Sequence, residues 1–366
     1  MNHYSDVEVY KIQAAVLRKR GGPLKIESLE MEGPRDNEVL LRLVASGICH
    51  TDIAFCDDWD ETDNAVVLGH EGAGVAERVG KSVKSVKLGD HVVLSYQSCG
   101  QCRQCRSGHP AHCKFLWEAN FGFQRLDGSN ALHRNGVRGH FFGQSSFATH
   151  SLATERNLVN VSKDLPLEVL SPLGCGLQTG AGTVMNSLKV ADGKSIAIFG
   201  TGAVGLSAVM AAHLVRADPI IGVDVKPKRL KLALKLGATH MIDNRRQDIA
   251  TCIADITGSG VDYVVETTGS PKMHQLAIDI LNPHGTVALL TGEKGMALSE
   301  GRKTLGIIQG DAVPQQLIPK LIELYQTGQF PFDQLEKFYA FSDIDQAIAD
   351  SKRGDAIKPV LRISKA

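Results

Sequence analysis

Cys99, Cys102, Cys105 and Cys113 follow the pattern C-x2-C-x2-C-x7-C. Four thiolates so close together can complete a tetrahedral shell around one zinc ion and leave no open position, which is the signature of a structural site. An iron–sulfur cluster can use similar spacing, but no redox-partner motif accompanies it here. Disulfides between such near neighbours do not suit a reducing compartment. Bound zinc would stiffen a lobe with little core of its own, and structural zinc peptides gain about 10–16 kcal/mol from the metal. Informative clusters also lie at GICHTD, with Cys49, and at LGHEG, with His70, while Cys175 sits in the Gly-rich SPLGCGLQTGAG, ahead of SIAIFGTGAVG. Cys49 and Cys175 are each flanked by glycine-bearing turns. Cys56 and Cys252 belong to no motif and read as small buried or half-buried thiols.

A second chemistry is written in Ser195–Gly205, SIAIFGTGAVG. The apolar run Ile196–Phe199 reads as a buried parallel strand. Gly200-x-Gly202-x-x-Gly205 follows at once and opens a long apolar helix. The first glycine permits a tight turn, the second lets a pyrophosphate approach the backbone, and the third lets helix and strand pack closely. An anion at that helix N-terminus meets free N–H groups and the positive end of the dipole. The next strand, PIIGVD, ends on Asp224, 19 residues beyond Gly205. That spacing suits a carboxylate that accepts hydrogen bonds from the adenosine ribose and repels a 2′-phosphate, which favours NAD. Lys226, Lys228 and Arg229 lie nearby and work in the opposite direction.

The elements that must carry these residues divide in two. A chain of 366 residues exceeds a typical single core. Residues 11–47 and the stretches after Glu71 read as β-rich. Residues 190–310 alternate strands with helices, which predicts a doubly wound parallel sheet covered on both faces. The expected organisation is a β-rich domain over 1–177 with a zinc lobe at 95–115, a dinucleotide domain over 178–312, and a return to the first domain over 313–366. With 40 basic and 40 acidic residues the chain offers no electrostatic footprint for nucleic acid or an anionic membrane. It has no run near the ~20 apolar residues of a membrane span and no apolar leader at its start, so the expected location is cytoplasmic.

With Cys49-His50-Thr51-Asp52, Gly69-His70-Glu71, the four-cysteine lobe, Gly174-Cys175-Gly176 and GTGAVG in this order, the chain resembles the zinc-dependent medium-chain alcohol dehydrogenases. FFGQSSFATHSLATERN at 141–157, PLGCGLQTGAGTVMN at 172–186 and FPFDQLEKFYAF at 330–341 resemble the aryl-alcohol branch. The resemblance implies a GroES-like catalytic domain beside the Rossmann-type domain, with two zinc ions per chain. Cys49, His70 and Cys175 would hold the catalytic zinc, and hydride would pass from a zinc-bound alkoxide to NAD. Thr51 would bond the reacting oxygen and start the proton's exit. Asp52 would fix His70, Glu71 would lie near the metal, and His50 would sit near the pyrophosphate and join the proton path. Thr179, Gly200, Gly202, Ala203, Val204, Gly205, Asp224 and Arg229 would bind the cofactor, with Lys358 as a pyrophosphate clamp. Many relatives carry a histidine three residues after the threonine position, where this chain has Ala54.

The substrate pocket implied by the same resemblance holds Trp59, Ser95, Tyr96, Phe141 and Phe142, with Glu293 and Lys294 near it. Ser95 would leave room for a ring. Aromatic walls suit benzyl-type primary alcohols and their aldehydes, with allylic or terpenoid alcohols of the geraniol type as the alternative. A glutathione-dependent formaldehyde dehydrogenase shares both zinc motifs, but the acidic CDDWDETDN argues against it. A dehydrogenase-like binding protein without catalysis is a further alternative, and it would hold at most the lobe zinc. TLGIIQG at 304–310 resembles the segment that joins two cofactor domains, so a homodimer or homotetramer is expected.

Overall fold

The computed structural model describes residues 8–60, 64–132, 136–290 and 299–365, so Glu293 and Lys294 lie outside the described residues. The chain forms two compact units, Met1–Cys175 with Val313–Ile322 and Asp333–Ala366, and Gly176–Ala312 with Glu323–Phe332.

The first unit is built on mostly antiparallel strands. One sheet runs Glu336–Ala340, Lys358–Arg362, Glu38–Gly47, Glu71–Val79, His91–Leu94, Leu158–Val161, and His150–Thr154 pairs with Glu38–Gly47 off this path. A smaller sheet runs Lys25–Glu32, Val9–Leu17, Ala65–Val67, Val137–Arg138. Glu38–Gly47 is buried along almost its whole length, which fits its near-continuous apolar sequence. It delivers Cys49 at its end, where the chain turns into the helix His50–Asp58. Opposite it, Gly47 pairs with Glu71, so His70 enters from the neighbouring strand.

The second unit is a six-stranded parallel sheet among the described residues, in the order His240–Asp243, Ile220–Asp224, Ile196–Phe199, Val261–Glu266, Leu281–Leu289, Lys303–Gly306. In chain order this is 3-2-1-4-5-6, the doubly wound arrangement that takes a dinucleotide outside the carboxyl ends of the strands. Its core joins Ala197, Phe199, Ile221, Val223, Val264 and Val287.

Two local expectations need correction. Cys175 is not flanked by turns on both sides: Gly176–Gly182 is an α-helix that continues as a π-helical turn over Thr183–Ser187. Its glycines are contact residues. A Cβ at Gly180 would fall on the Val204 carbonyl oxygen, and one at Gly182 on that of Gly310. The edge strand in TLGIIQG is also shorter than the sequence suggests. It spans Lys303–Gly306 and gives way to a 3-10 turn at Gln309–Asp311. No helix among the described residues is long and apolar enough to cross a membrane.

Candidate active site

In the first unit, Cys49, His70, Glu71 and Cys175 bring one ligand atom each to within 4.8 Å of one another. The helix N-terminus organises the first of them. Cys49 is the N-cap of His50–Asp58, and its backbone N–H donates to Asp52 Oδ2 at 2.9 Å. The other Asp52 oxygen meets His70 Nδ1 at 2.9 Å and accepts from the Gly69 N–H at 3.1 Å. Asp52 and His70 are fully buried. The carboxylate thus draws the imidazole proton to Nδ1 and leaves Nε2 facing the thiols, where it has no hydrogen-bond partner among the described residues.

The electrostatics point the same way. The Cys175 thiol, hydrogen-bonded to Cys49, outweighs burial and, with His70, holds the Cys49 thiol well below the usual range. At His70 burial opposes a positive charge, yet Asp52 and Cys49 outweigh it and raise the imidazole to about 10. A buried nitrogen that binds a proton so tightly, beside two thiols, is a site that attracts a cation. Two sulfurs and one imidazole suit zinc, and they leave a fourth position for another ligand.

Thr51 is half-buried on the first helical turn, with Oγ1 3.8 Å from Cys49 Sγ, and His50 is exposed beside it. Glu71 is fully buried, and burial raises its carboxyl against the pull of Lys358. Lys358 is placed otherwise than a free pyrophosphate clamp would be. Its side chain is 3% exposed, and its ammonium donates at 2.9 Å to each Glu71 oxygen and at 3.3 Å to the Ile48 carbonyl.

Phe142 stacks on the His70 ring at 4.3 Å and 22°, and Phe141 meets it edge-on at 5.5 Å. These two belong to a larger aromatic array. Phe55 stacks on Phe121 at 5.4 Å, Phe123 stacks on Phe141 at 5.3 Å, and Trp59 meets Phe123 edge-on at 5.0 Å. Sequence reading missed Phe55, Phe121 and Phe123. The i, i+4 spacing of Phe55, on the helix His50–Asp58, and Trp59, its C-cap, was an available signal. Ser95 and Tyr96 are buried, as are Trp59, Phe141 and Phe142. The Ser95 hydroxyl donates to the Gly174 carbonyl at 2.7 Å and steadies the segment that carries Cys175.

The four cysteines of the lobe also converge to within 4.8 Å. Cys99 and Cys105 sulfurs are 4.0 Å apart, as are those of Cys102 and Cys113. A tetrahedron with Zn–S bonds of about 2.3 Å has edges of about 3.8 Å, so the set fits zinc. Peptide N–H groups of Cys99, Gln101, Cys102, Lys114 and Phe115 point at the sulfurs from 3.3–3.4 Å, as thiolates require. The peptide groups of Cys105 and Lys114 draw the Cys102 thiol down to about 6. All eight cysteines are free of disulfides.

In the second unit the three glycines of the turn have three different surroundings. Gly200 adopts φ +85°, and a Cβ at Gly205 would strike the Gly200 carbonyl. Gly202, the N-cap of helix Ala203–Leu214, has only Arg229 Nη1 near its absent Cβ, at 3.9 Å. The turn therefore leaves one open backbone face, at a helix N-terminus, with Ala203 and Val204 in the first helical turn. Asp224 Oδ2 accepts from the Thr201 N–H and hydroxyl at 2.7 and 2.9 Å, and Oδ1 accepts from the Lys226 N–H at 2.8 Å. A carboxylate has about four lone-pair positions, so one remains for a ribose hydroxyl. Thr179 lies half-buried on the helix Gly176–Gly182.

Residues 35–163 match the family profile of the alcohol dehydrogenase GroES-like domain, and residues 203–324 that of the zinc-binding dehydrogenases. A geraniol dehydrogenase from Castellaniella defragrans is 44% identical over 95% of this chain and 97% of its own length. An S-(hydroxymethyl)glutathione dehydrogenase from Synechocystis is 33% identical over 96% and 99%. Among solved structures, an alcohol dehydrogenase zinc-binding domain protein from Burkholderia ambifaria superposes with TM-score 0.93 at 48% identity, covering 98% of this chain and 100% of that one. Benzyl alcohol dehydrogenase from Acinetobacter calcoaceticus also superposes with TM-score 0.93, at 44% identity over 97% and 100%. The fold is that of a GroES-like domain joined to a Rossmann-type dinucleotide domain. The chain belongs to the zinc-dependent medium-chain alcohol dehydrogenases.

Proposed function

We propose that the chain oxidises primary aromatic alcohols of the benzyl type to aldehydes, and runs the reverse reduction, with NAD. The observation that carries this reading is the aromatic array packed against His70, in which Phe142 covers the imidazole. A flat apolar alcohol matches such a wall, and Phe55 and Phe121 offer its half-exposed faces.

A bound zinc would supply the Lewis acidity that lowers an alcohol's pKa, as it lowers that of water to about 7, and NAD would accept the hydride. Cys49, His70 and Cys175 would hold that ion, and Asp52 keeps the His70 proton on Nδ1 so that Nε2 is free to bind it. Thr51 takes the hydroxyl proton into its hydrogen bond, and exposed His50 offers the next step outward in a chain that has Ala54 three residues on. The Gly200–Gly205 turn receives the pyrophosphate at the helix N-terminus, Asp224 accepts from the ribose, and Arg229 and Thr179 flank them. The lobe cysteines would hold a second, structural zinc. Lys303–Gly306 lies at the edge of its sheet, which supports assembly as a homodimer or homotetramer, and the free thiols favour a cytoplasmic location.

A geraniol-type allylic alcohol is the second reading, favoured by the 44% identity to a geraniol dehydrogenase. NADH formation with benzyl alcohol, cinnamyl alcohol, geraniol, ethanol and S-(hydroxymethyl)glutathione separates them. The expected result is the highest kcat/KM with benzyl or cinnamyl alcohol, and a lower value with NADP than with NAD. A clear preference for geraniol would move the assignment to the allylic class. Turnover of the glutathione adduct alone would overturn the branch.

A further inference from the structure

The strand Glu336–Ala340 is at the edge of the first unit's large sheet, parallel to Lys358–Arg362, and Glu336 is the register partner of Lys358. Both Glu336 carboxylate oxygens are buried, and neither has a hydrogen-bond partner among the described residues. An ionised carboxylate in that state is costly, and the usual relief is a cation or a proton. The nearest strand supplies a cation, but it is fully committed. An ammonium has three N–H donors, and Lys358 spends them on Glu71 Oε1, Glu71 Oε2 and the Ile48 carbonyl. The side chain of Glu71 lies directly over Gly47, where any Cβ would collide with it, so the glycine on the intervening strand is what lets the Lys358–Glu71 pair form.

One ammonium is thus flanked by two buried carboxylates, of which only Glu71 is bonded to it. We propose that Glu336 is a positioning residue: it stays uncharged, leaves the Lys358 ammonium wholly on Glu71, and so pins the Glu71 carboxylate in its place beside Cys49, His70 and Cys175. Ionised Glu336 would compete for Lys358 from the opposite side and loosen Glu71 beside the metal ligands. The charges that face Glu336 from the surrounding elements are Asp333 in its own lead-in turn, Glu168 on the helix Leu167–Leu170, Lys358 and Glu71. Three of these four are acids. Burial first, then Asp333, push the Glu336 carboxyl up to about 9, while Lys358 opposes them.

Two readouts on the zinc-loaded full chain test this. The first is infrared spectroscopy: a protonated-carboxyl C=O band is expected at neutral pH, fading with a midpoint near 9 and absent from Glu336→Gln. The second is the pH profile of kcat/KM, in which wild type shows an alkaline inflection near 9 that Glu336→Gln lacks. Glu336→Leu, which fills the site without a polar group, serves if the glutamine variant does not fold. A band that survives in both variants, or an inflection unchanged in both, would overturn the assignment. The kinetic readout rests on the alcohol dehydrogenase reading and the infrared one does not. A titrating band without alcohol turnover would therefore sink the functional reading alone.

Discussion

The Cys49→Ala, Cys175→Ala double variant is expected to lose about a thousandfold or more in kcat/KM for alcohol oxidation, while its zinc content falls by one ion per chain. A metal acting as a Lewis acid supplies several kcal/mol of transition-state stabilisation, and each ~1.4 kcal/mol is tenfold in rate. Two of the three ligands disappear, and His70 alone cannot retain the ion. The fold should persist. The two side chains lie at the end of a buried strand and before the helix Gly176–Gly182, and neither belongs to the main apolar clusters. Zinc analysis, circular dichroism and NADH formation check the three parts of this result. Loss of zinc with activity retained would contradict the assigned role.

The second large effect concerns stability. Cys99→Ser with Cys102→Ser is expected to release the other zinc and cost more than ~4 kcal/mol, in the class of metal-loss mutations. Ala111, Cys113 and Leu116 belong to the neighbouring core and Cys99, Cys102 and Cys105 pack against it, so four of these residues are the metal ligands themselves. Arg103 and Arg106 are exposed between the ligands, so the unbraced lobe becomes a trypsin site. Limited proteolysis should cut the variant there and spare the wild type, and the thermal midpoint should fall with it. Equal resistance in both would mean that packing holds the lobe without metal.

The two chemistries were legible because each is written in short, contiguous motifs. The lobe cysteines are neighbours in the chain, and the strand–turn–helix that carries Gly200, Gly202 and Gly205 is a local unit. Features assembled from distant segments were not legible. Gly176–Gly182 looks like a loop because glycine is a poor helix former, and only its packing against Val204 and Gly310 explains the composition. Lys358 suggested a phosphate clamp because its charge was visible and its partner was not. That partner, Glu71, is two strands away, across Gly47. The bond from the Ser95 hydroxyl was not legible because its acceptor, Gly174, lies 79 residues on. Phe55, Phe121 and Phe123 come together only when the helix after Cys49 packs on the segment after the lobe.

The most direct measurement of zinc-dependent alcohol oxidation is NADH formation from benzyl alcohol by the full chain before metal removal, after chelation, and after zinc is returned. Turnover is expected to disappear on chelation and to recover with added zinc, in step with the return of the ion assigned to Cys49, His70 and Cys175. Turnover that continues unchanged through chelation, with that ion gone, would contradict that assignment.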